Sequence, residues 1–160
     1  MGIAHLGLFQ QEDLTRLEFR THQQLALQQD YLKLRLDHRF RVEQRHFRNM
    51  TLGRMEEEGY GNVRFRYRFM VHYPLWQSAS EKARQVFVSI GDEILLNAGK
   101  RIIFNVFDQN RLMIGSTFQK NQKVGISFFY SHTFQAIPSP GEYRQIYIFW
   151  LRFQQSISTD

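Results

Sequence analysis

A chain of 160 residues is long enough for one domain or one barrel and short for two. It has no cysteine, which excludes disulfides and thiolate metal sites, and no apolar run approaches the roughly 18 residues of a membrane-spanning helix. The net charge of +6 favours an anionic partner, such as nucleic acid or an anionic surface, and the aromatic fraction of 15% is high for an ordinary globular domain.

The first residues give no export signal. Met1 to His5 contains neither the basic start nor the long apolar core of a signal peptide. Since an exported protein needs such a leader, the sequence predicts a mature or shortened chain if the protein is exported.

Alternation with a period of two dominates the sequence, as in strands with one apolar and one polar face. A short first strand is predicted at 3–9 and a longer second strand at 17–27. From Leu32 the even positions are mostly apolar, whereas every odd position from Lys33 to Arg45 is charged. Further strands are predicted at 63–73, 86–97, 108–118, 124–135 and 143–153.

The segments between these strands are predicted to alternate in length. Short polar connections are expected at 28–30 and 119–123, and longer ones at 46–62 and 133–142, as in barrels with short turns on one side. A long helix competes for residues 10–58, where there is one glycine and no proline. The alternation favours strands, so the sequence predicts an all-β fold. We expect one domain over 1–160, an antiparallel up-and-down transmembrane β-barrel of about eight or more strands.

The apolar face of these strands is predicted to meet lipid, because side chains on the outside of a membrane barrel are apolar. Tyrosine and tryptophan are expected near the membrane interfaces, as at Tyr67, Tyr73, Tyr147 and Trp150. The predicted lipid-facing residues are Leu32, Leu34, Leu36, Phe40, Val63, Phe65, Tyr67 and Phe69.

The opposite face is predicted to form an enclosed charge network, since charges in a narrow barrel must be paired and hydrogen-bonded. The predicted members are Glu18, Arg20, Arg35, Asp37, Arg39, Arg41, Glu43, Arg45, Arg64, Arg66, Arg68, Glu93 and Arg111. Nine of these are arginines and four are carboxylates. The surplus positive charge is expected to face water, bind anions or contact lipopolysaccharide phosphates. The favoured function is therefore a structural or narrow anion-interacting role.

Metal and catalytic chemistry have little support in the sequence. The six histidines show no zinc-site spacing, so no metal and no cofactor are predicted. His22 and His72 share the polar face with Ser89 and Glu93, which leaves a lipid-modifying enzyme as an alternative. No residue is marked as a nucleophile, and the prediction is that the protein is not an enzyme.

Nucleic-acid binding is the other alternative. Basic and aromatic residues interleave from Arg64 to Phe69, and a soluble sheet would stack bases on such aromatics. Alternation places the aromatics and the arginines on opposite faces, so no nucleic-acid partner is expected. A soluble basic β-sandwich that binds nucleic acid, or assembles as a viral capsid or matrix-type protein, stays open.

Five motifs in order carry a resemblance to a known family. They are RTHQQL at 20–25, HRFRVEQR at 38–45, RFRYR at 64–68 followed by YPL at 73–75, GDEILLN at 91–97, and FDQNRL at 107–112 followed by Gly115. Over residues 16–153 this succession resembles the bacterial outer-membrane β-barrels catalogued as domain of unknown function twenty-four-ninety.

The resemblance implies a barrel in the outer membrane of a Gram-negative bacterium, and it implies no activity. Members of that family carry a signal peptide and further strands before the segment at Arg16, so the resemblance implies that these are missing here. The implied partners are outer-membrane lipid and lipopolysaccharide. The segment from Ile146 to Phe153 resembles the Phe-ended strand that barrel-assembly machinery recognises, which adds that machinery as a partner. The oligomeric state stays open.

Overall fold

The structure is a computed structural model, and it describes residues 1–10, 13–51, 53–79, 84–99, 102, 106–121, 123–137, 139 and 141–156. Eight strands make up nearly all of this part. They are β1 (Gly2–Gln10), β2 (Asp13–Tyr31), β3 (Leu34–Thr51), β4 (Arg54–Gln77), β5 (Gln85–Ala98), β6 (Phe107–Gln119), β7 (Val124–Ala136) and β8 (Tyr143–Gln155). No helix in the described residues is long and apolar enough to cross a membrane.

The strands form one sheet in chain order, and each strand pairs antiparallel with the next. The sheet curls strongly into a half-barrel whose open edges are β1 and β8. Within the described ranges these two edges make no contact with each other. The predicted all-β, up-and-down arrangement of eight strands is confirmed, and the helical alternative for 10–58 is wrong for the described residues.

The predicted connections at 46–62 and 28–30 are wrong. The first is wrong in extent, since strands β3 and β4 stay paired inside this segment up to Thr51 opposite Arg54. Within it Phe47 lies opposite Tyr60, and the two rings stack with centroids 5.0 Å apart. This cross-strand pair stabilises the ladder in a stretch whose polar composition is typical of a loop. The second segment is still paired with β3, and the turn comes later, at residues 32 and 33.

Two glycines let the concave side of the sheet pack closely. A Cβ on Gly91 would collide with Met70 of β4, and one on Gly115 would collide with the ring of Phe129 of β7. Met70 and Phe129 form a small buried apolar cluster together with Met113. The neighbouring strands therefore fill the space that side chains at these two positions would need.

The turn between β2 and β3 holds Leu32 in the left-handed region, at φ 56°. This conformation costs an L-residue other than glycine roughly 1–2 kcal/mol. We therefore expect Leu32→Gly to raise the free energy of unfolding by about 1 kcal/mol, as measured by urea titration. The matched control is Leu34→Gly, which removes a strand side chain and should lower stability. A loss of stability in Leu32→Gly would contradict this turn geometry.

Candidate functional site

Three buried glutamates lie on the concave face of the sheet. Glu18 on β2, Glu43 on β3 and Glu93 on β5 expose only 3%, 0% and 2% of their surface. An isolated carboxylate at such burial would be very costly, so each needs cationic partners close by. All three belong to the predicted charge network.

Strand register places arginines of neighbouring strands directly opposite each other. It places Arg20 opposite Arg45, and it also pairs Arg41 with Arg66 and Arg39 with Arg68. Like charges directly opposite each other destabilise a sheet. The three glutamates lie beside these pairs and accept hydrogen bonds from them: Glu18 from Arg20 and Arg45, Glu43 from Arg66, and Glu93 from Arg39 and Arg66.

Glu18 and Glu43 hold the first half of the network. Arg20 Nη2 and Arg45 Nε donate to Glu18 Oε1 at 2.6 Å and 2.7 Å. Arg64 Nε and Arg66 Nη1 donate to the two oxygens of Glu43 at 2.8 Å and 2.7 Å. Two looser ion pairs also reach Glu43, from Arg20 at 3.5 Å and from Arg41 at 3.7 Å.

Glu93 continues the network across the sheet. Arg39 Nη2 donates to Glu93 Oε1 at 2.7 Å, and Arg66 Nη2 donates to both oxygens at 2.9 Å. Arg111 of β6 lies 3.6 Å away. Because Arg66 contacts both Glu43 and Glu93, one connected set of charges runs from β2 to β6.

Sequence reasoning missed residues that complete this set. A bulge between Leu95 and Leu96 leaves Asp108 without a register partner, and its carboxylate accepts a hydrogen bond from Arg64 Nη1 at 3.1 Å. A bulge redirects a side chain, so the alternation could not reveal it. Two glutamines also serve as neutral acceptors, Gln24 for Arg41 at 2.7 Å and Gln109 for Arg111 at 2.6 Å.

Three predicted members lie outside the connected set, near the turn between β2 and β3. Asp37 faces His72, with Oδ2 and Nε2 3.1 Å apart. Arg35 and Arg68 form no ion pair with any described residue. Their Nε atoms are buried and have no hydrogen-bond partner among the described residues. Arg35 and Arg68 therefore belong to the excess of arginine over carboxylate that the sequence predicts.

Asp37, His72 and Ser89 form a hydrogen-bonded relay. His72 Nδ1 lies 2.7 Å from Ser89 Oγ, while its Nε2 faces Asp37. These residue types are those of a hydrolase triad. Ser89, however, is only 1% exposed, so its hydroxyl is covered in the described sheet. The relay fixes the imidazole at both nitrogens. Glu93, the other candidate acid, is bound by arginines instead.

The described residues hold no group of three or more His, Asp or Glu side chains placed to bind a metal ion.

The convex face is apolar. Leu34, Leu36, Phe40, Val63, Phe65, Tyr67 and Phe69 lie on it by strand alternation and register. Leu32 does not, because it belongs to the turn rather than to β3. Trp150 was also misplaced by the interface prediction, since it stacks on Phe129 of the concave face at 5.9 Å. Other exposed apolar side chains of the convex face include Ile90, Leu96, Leu112, Ile114, Phe118, Ile126, Phe128, Phe149, Leu151 and Phe153.

Removing the charge of Glu43 should be severely destabilising. In Glu43→Gln, four arginines lose their shared anion, and breaking a buried ion pair costs about 3–5 kcal/mol. The control is Glu57→Gln at the exposed hairpin tip, which should change stability by less than about 0.5 kcal/mol. Equal unfolding midpoints for the two variants would show that the network does not support the fold.

Comparison with known proteins identifies the family. The family model described as "Protein of unknown function (DUF2490)" matches residues 1–144, which include β1 to β7 and the whole charge network. No curated protein and no solved structure matches the chain. The family resemblance carried by the five motifs is thereby confirmed, and the chain belongs to the DUF2490 family of proteins of unknown function.

Proposed function

We propose that this chain forms a transmembrane β-barrel in the outer membrane of a Gram-negative bacterium. In this proposal the open edges of the sheet are closed by strand pairing, the convex face meets lipid, and the charged concave face lines the interior. The role is structural, with an interior that interacts with anions and carries no catalysis. The observation that carries the proposal is the separation of apolar and charged side chains onto opposite faces of one curled sheet.

The convex face supports lipid contact. Phe65, Ile90, Ile114, Phe128 and Phe149 come from five different strands, and all are exposed. A continuous apolar surface of this kind marks an interface with lipid or protein when it occurs on a folded chain. In a bilayer the same apolar side chains contact acyl chains instead of water, so their exposure on the outside of a barrel is favourable.

The open edges support closure. Edge strands present unpaired backbone groups, and a membrane sheet must pair all of them. Strand β8 is exposed along nearly its whole length, and it carries Tyr147, Phe149, Leu151 and Phe153 on its outer side. This aromatic edge strand fits recognition by the barrel-assembly machinery, which we propose as a partner together with outer-membrane lipid and lipopolysaccharide.

Nucleic-acid binding has less support than lipid contact. A base-binding sheet needs aromatic rings and cations on one face. Here Phe65 and Tyr67 lie on the convex face, whereas Arg64 and Arg66 donate to buried glutamates on the concave face. The soluble β-sandwich alternative, with its capsid or matrix role, needs two sheets packed face to face, whereas the described strands form one sheet.

The relay of Asp37, His72 and Ser89 provides a direct test of the non-catalytic role. A covered hydroxyl should not attack an ester, so we expect no labelling of the purified protein by a fluorophosphonate probe. Gel fluorescence of the wild type and of Ser89→Ala measures this. Labelling of the wild type that disappears in Ser89→Ala would contradict the proposal and favour a lipid-modifying hydrolase.

Two positions of equal exposure separate a membrane barrel from a soluble sheet. Phe65 and Met55 are both 48% exposed on β4, but Met55 lies at the hairpin tip, about 33 Å along the strand at 3.3 Å per residue. In lipid, Phe65→Arg should cost about 2–4 kcal/mol near mid-membrane, while Met55→Arg should cost about 0–1 kcal/mol. Folded yield and heat-modifiable gel mobility in detergent or vesicles measure the difference.

The opposite outcome is equally clear. If the sheet is soluble, both arginine variants replace an exposed side chain in water, and their folded yields should match. Equal yields, with protein that stays monomeric in buffer without detergent, would contradict the membrane proposal.

A further inference from the structure

A cavity of about 210 Å³ opens where the turn between β2 and β3 meets β4 and β5. This volume is several times the roughly 30 Å³ that one water occupies in the liquid. Its polar walls include Asp30, Lys33, Arg35 and His72, and its apolar walls include Leu34 and Phe87. The cavity adjoins the corner where the charge network leaves arginines unpaired.

Two cations of this cavity, Arg35 and Lys33, form no ion pair in the described part of the chain. Arg35 is partly buried, its Nε has no hydrogen-bond partner, and neither Arg35 nor Lys33 forms an ion pair with a described residue. Asp30 lies directly opposite Arg35 in the strand register, yet no ion pair joins them. A covered cationic group without an anion is costly, and the Nε of Arg35 is covered, so the site favours an anionic ligand.

The neighbouring network cannot supply that anion. Glu93 already accepts from Arg39 and Arg66, and Arg68 is left with a buried Nε that has no partner in the described chain. Asp37 is turned toward His72. Lys33, Arg35 and Arg68 bring three positive charges to this corner. Asp30 and Asp37 bring two negative ones, so one net positive charge remains beside the cavity.

The walls of the cavity are held in place before any ligand arrives. His72 is fixed by hydrogen bonds at both ring nitrogens, and it meets Phe87 edge-on at 5.9 Å. The Arg35 guanidinium lies 5.6 Å from the centre of the Phe87 ring. Because these side chains are already ordered, binding loses little conformational entropy.

We infer that this cavity binds a phosphate group, with Arg35 and Lys33 as its ligands. Arginine presents paired N–H donors that match two phosphate oxygens, and lysine adds a compact positive charge. The turn residue Leu32 is 90% exposed beside these cations, an arrangement that suits a phosphate carried on a lipid. The site deepens the anion-interacting interior of the proposed function, and it depends on the membrane role only where the phosphate belongs to a lipid.

The test uses the full chain folded in a non-ionic detergent. Titration calorimetry measures the affinity for inorganic phosphate and for dihexanoyl phosphatidic acid, with sodium chloride at equal ionic strength as the reference. We expect a phosphate-bearing probe to bind, and Arg35→Gln to weaken its affinity at least tenfold. Lys33→Gln, at an exposed turn position, should weaken it as well and leaves the fold intact.

The matched control is Arg144→Gln on β8, where an exposed arginine donates to Gln135 far from the cavity. Its affinity should stay within twofold of the wild type. Binding of the lipid probe alone identifies a headgroup site, and equal binding of both probes identifies a free-phosphate site. No binding of either probe, or unchanged affinity in both Arg35→Gln and Lys33→Gln, would overturn the inference.

The two proposals fail separately. Phosphate binding that survives while Phe65→Arg and Met55→Arg fold equally well would refute the membrane role and keep the site. A large Phe65→Arg effect without phosphate binding would refute the site and keep the membrane role.

Discussion

The buried carboxylate of Glu43 is the centre on which the concave face depends. Strand register places arginine opposite arginine, an unfavourable arrangement, and the buried glutamates accept hydrogen bonds from arginines of these pairs. Glu43 is fully buried and takes hydrogen bonds from Arg64 and Arg66, while Arg66 also reaches Glu93. Charge pairing thereby joins strands that are not neighbours in the sheet, since Arg39 on β3 contacts Glu93 on β5. Such an ion pair across two strands is favoured by a curved sheet, so the charge network and the curl of the sheet support each other.

The outer face follows from the same constraint. Once the charges turn inward, strict alternation sends the intervening side chains outward, and these are mostly apolar. Gly91 and Gly115 let side chains of neighbouring strands pack closely on the inside, which suits a curled sheet. Among the described residues, not every arginine of the concave face is paired with a carboxylate. The arginines exceed the carboxylates, and one unpaired arginine, Arg35, lines the cavity at the turn between β2 and β3, so the proposed phosphate site uses the same charge pattern.

Alternation predicted the strands well because a slip of one residue would exchange the two faces, so the pattern specifies both strand and face. The ends of the strands were harder to predict from the sequence. The 46–62 segment has a loop-like composition, and the stacking of Phe47 on Tyr60 that keeps it paired depends on register. Asp108 was missed because a bulge turned it inward. The sequence placed His72 and Ser89 on the same face, but their contact and the partner Asp37 join three strands and depend on the register of the assembled sheet.

The most direct test of the central claim uses two neighbouring residues on β6. Since the chain has no cysteine, a single cysteine at Leu112 on the convex face, or at Arg111 on the concave face, takes one bimane label. In lipid vesicles, a doxyl-labelled lipid should quench the fluorophore at Leu112, whereas aqueous iodide should quench it at Arg111. Quenching of both positions by the same agent, or of Leu112 by iodide, would contradict a barrel with lipid outside and charge inside.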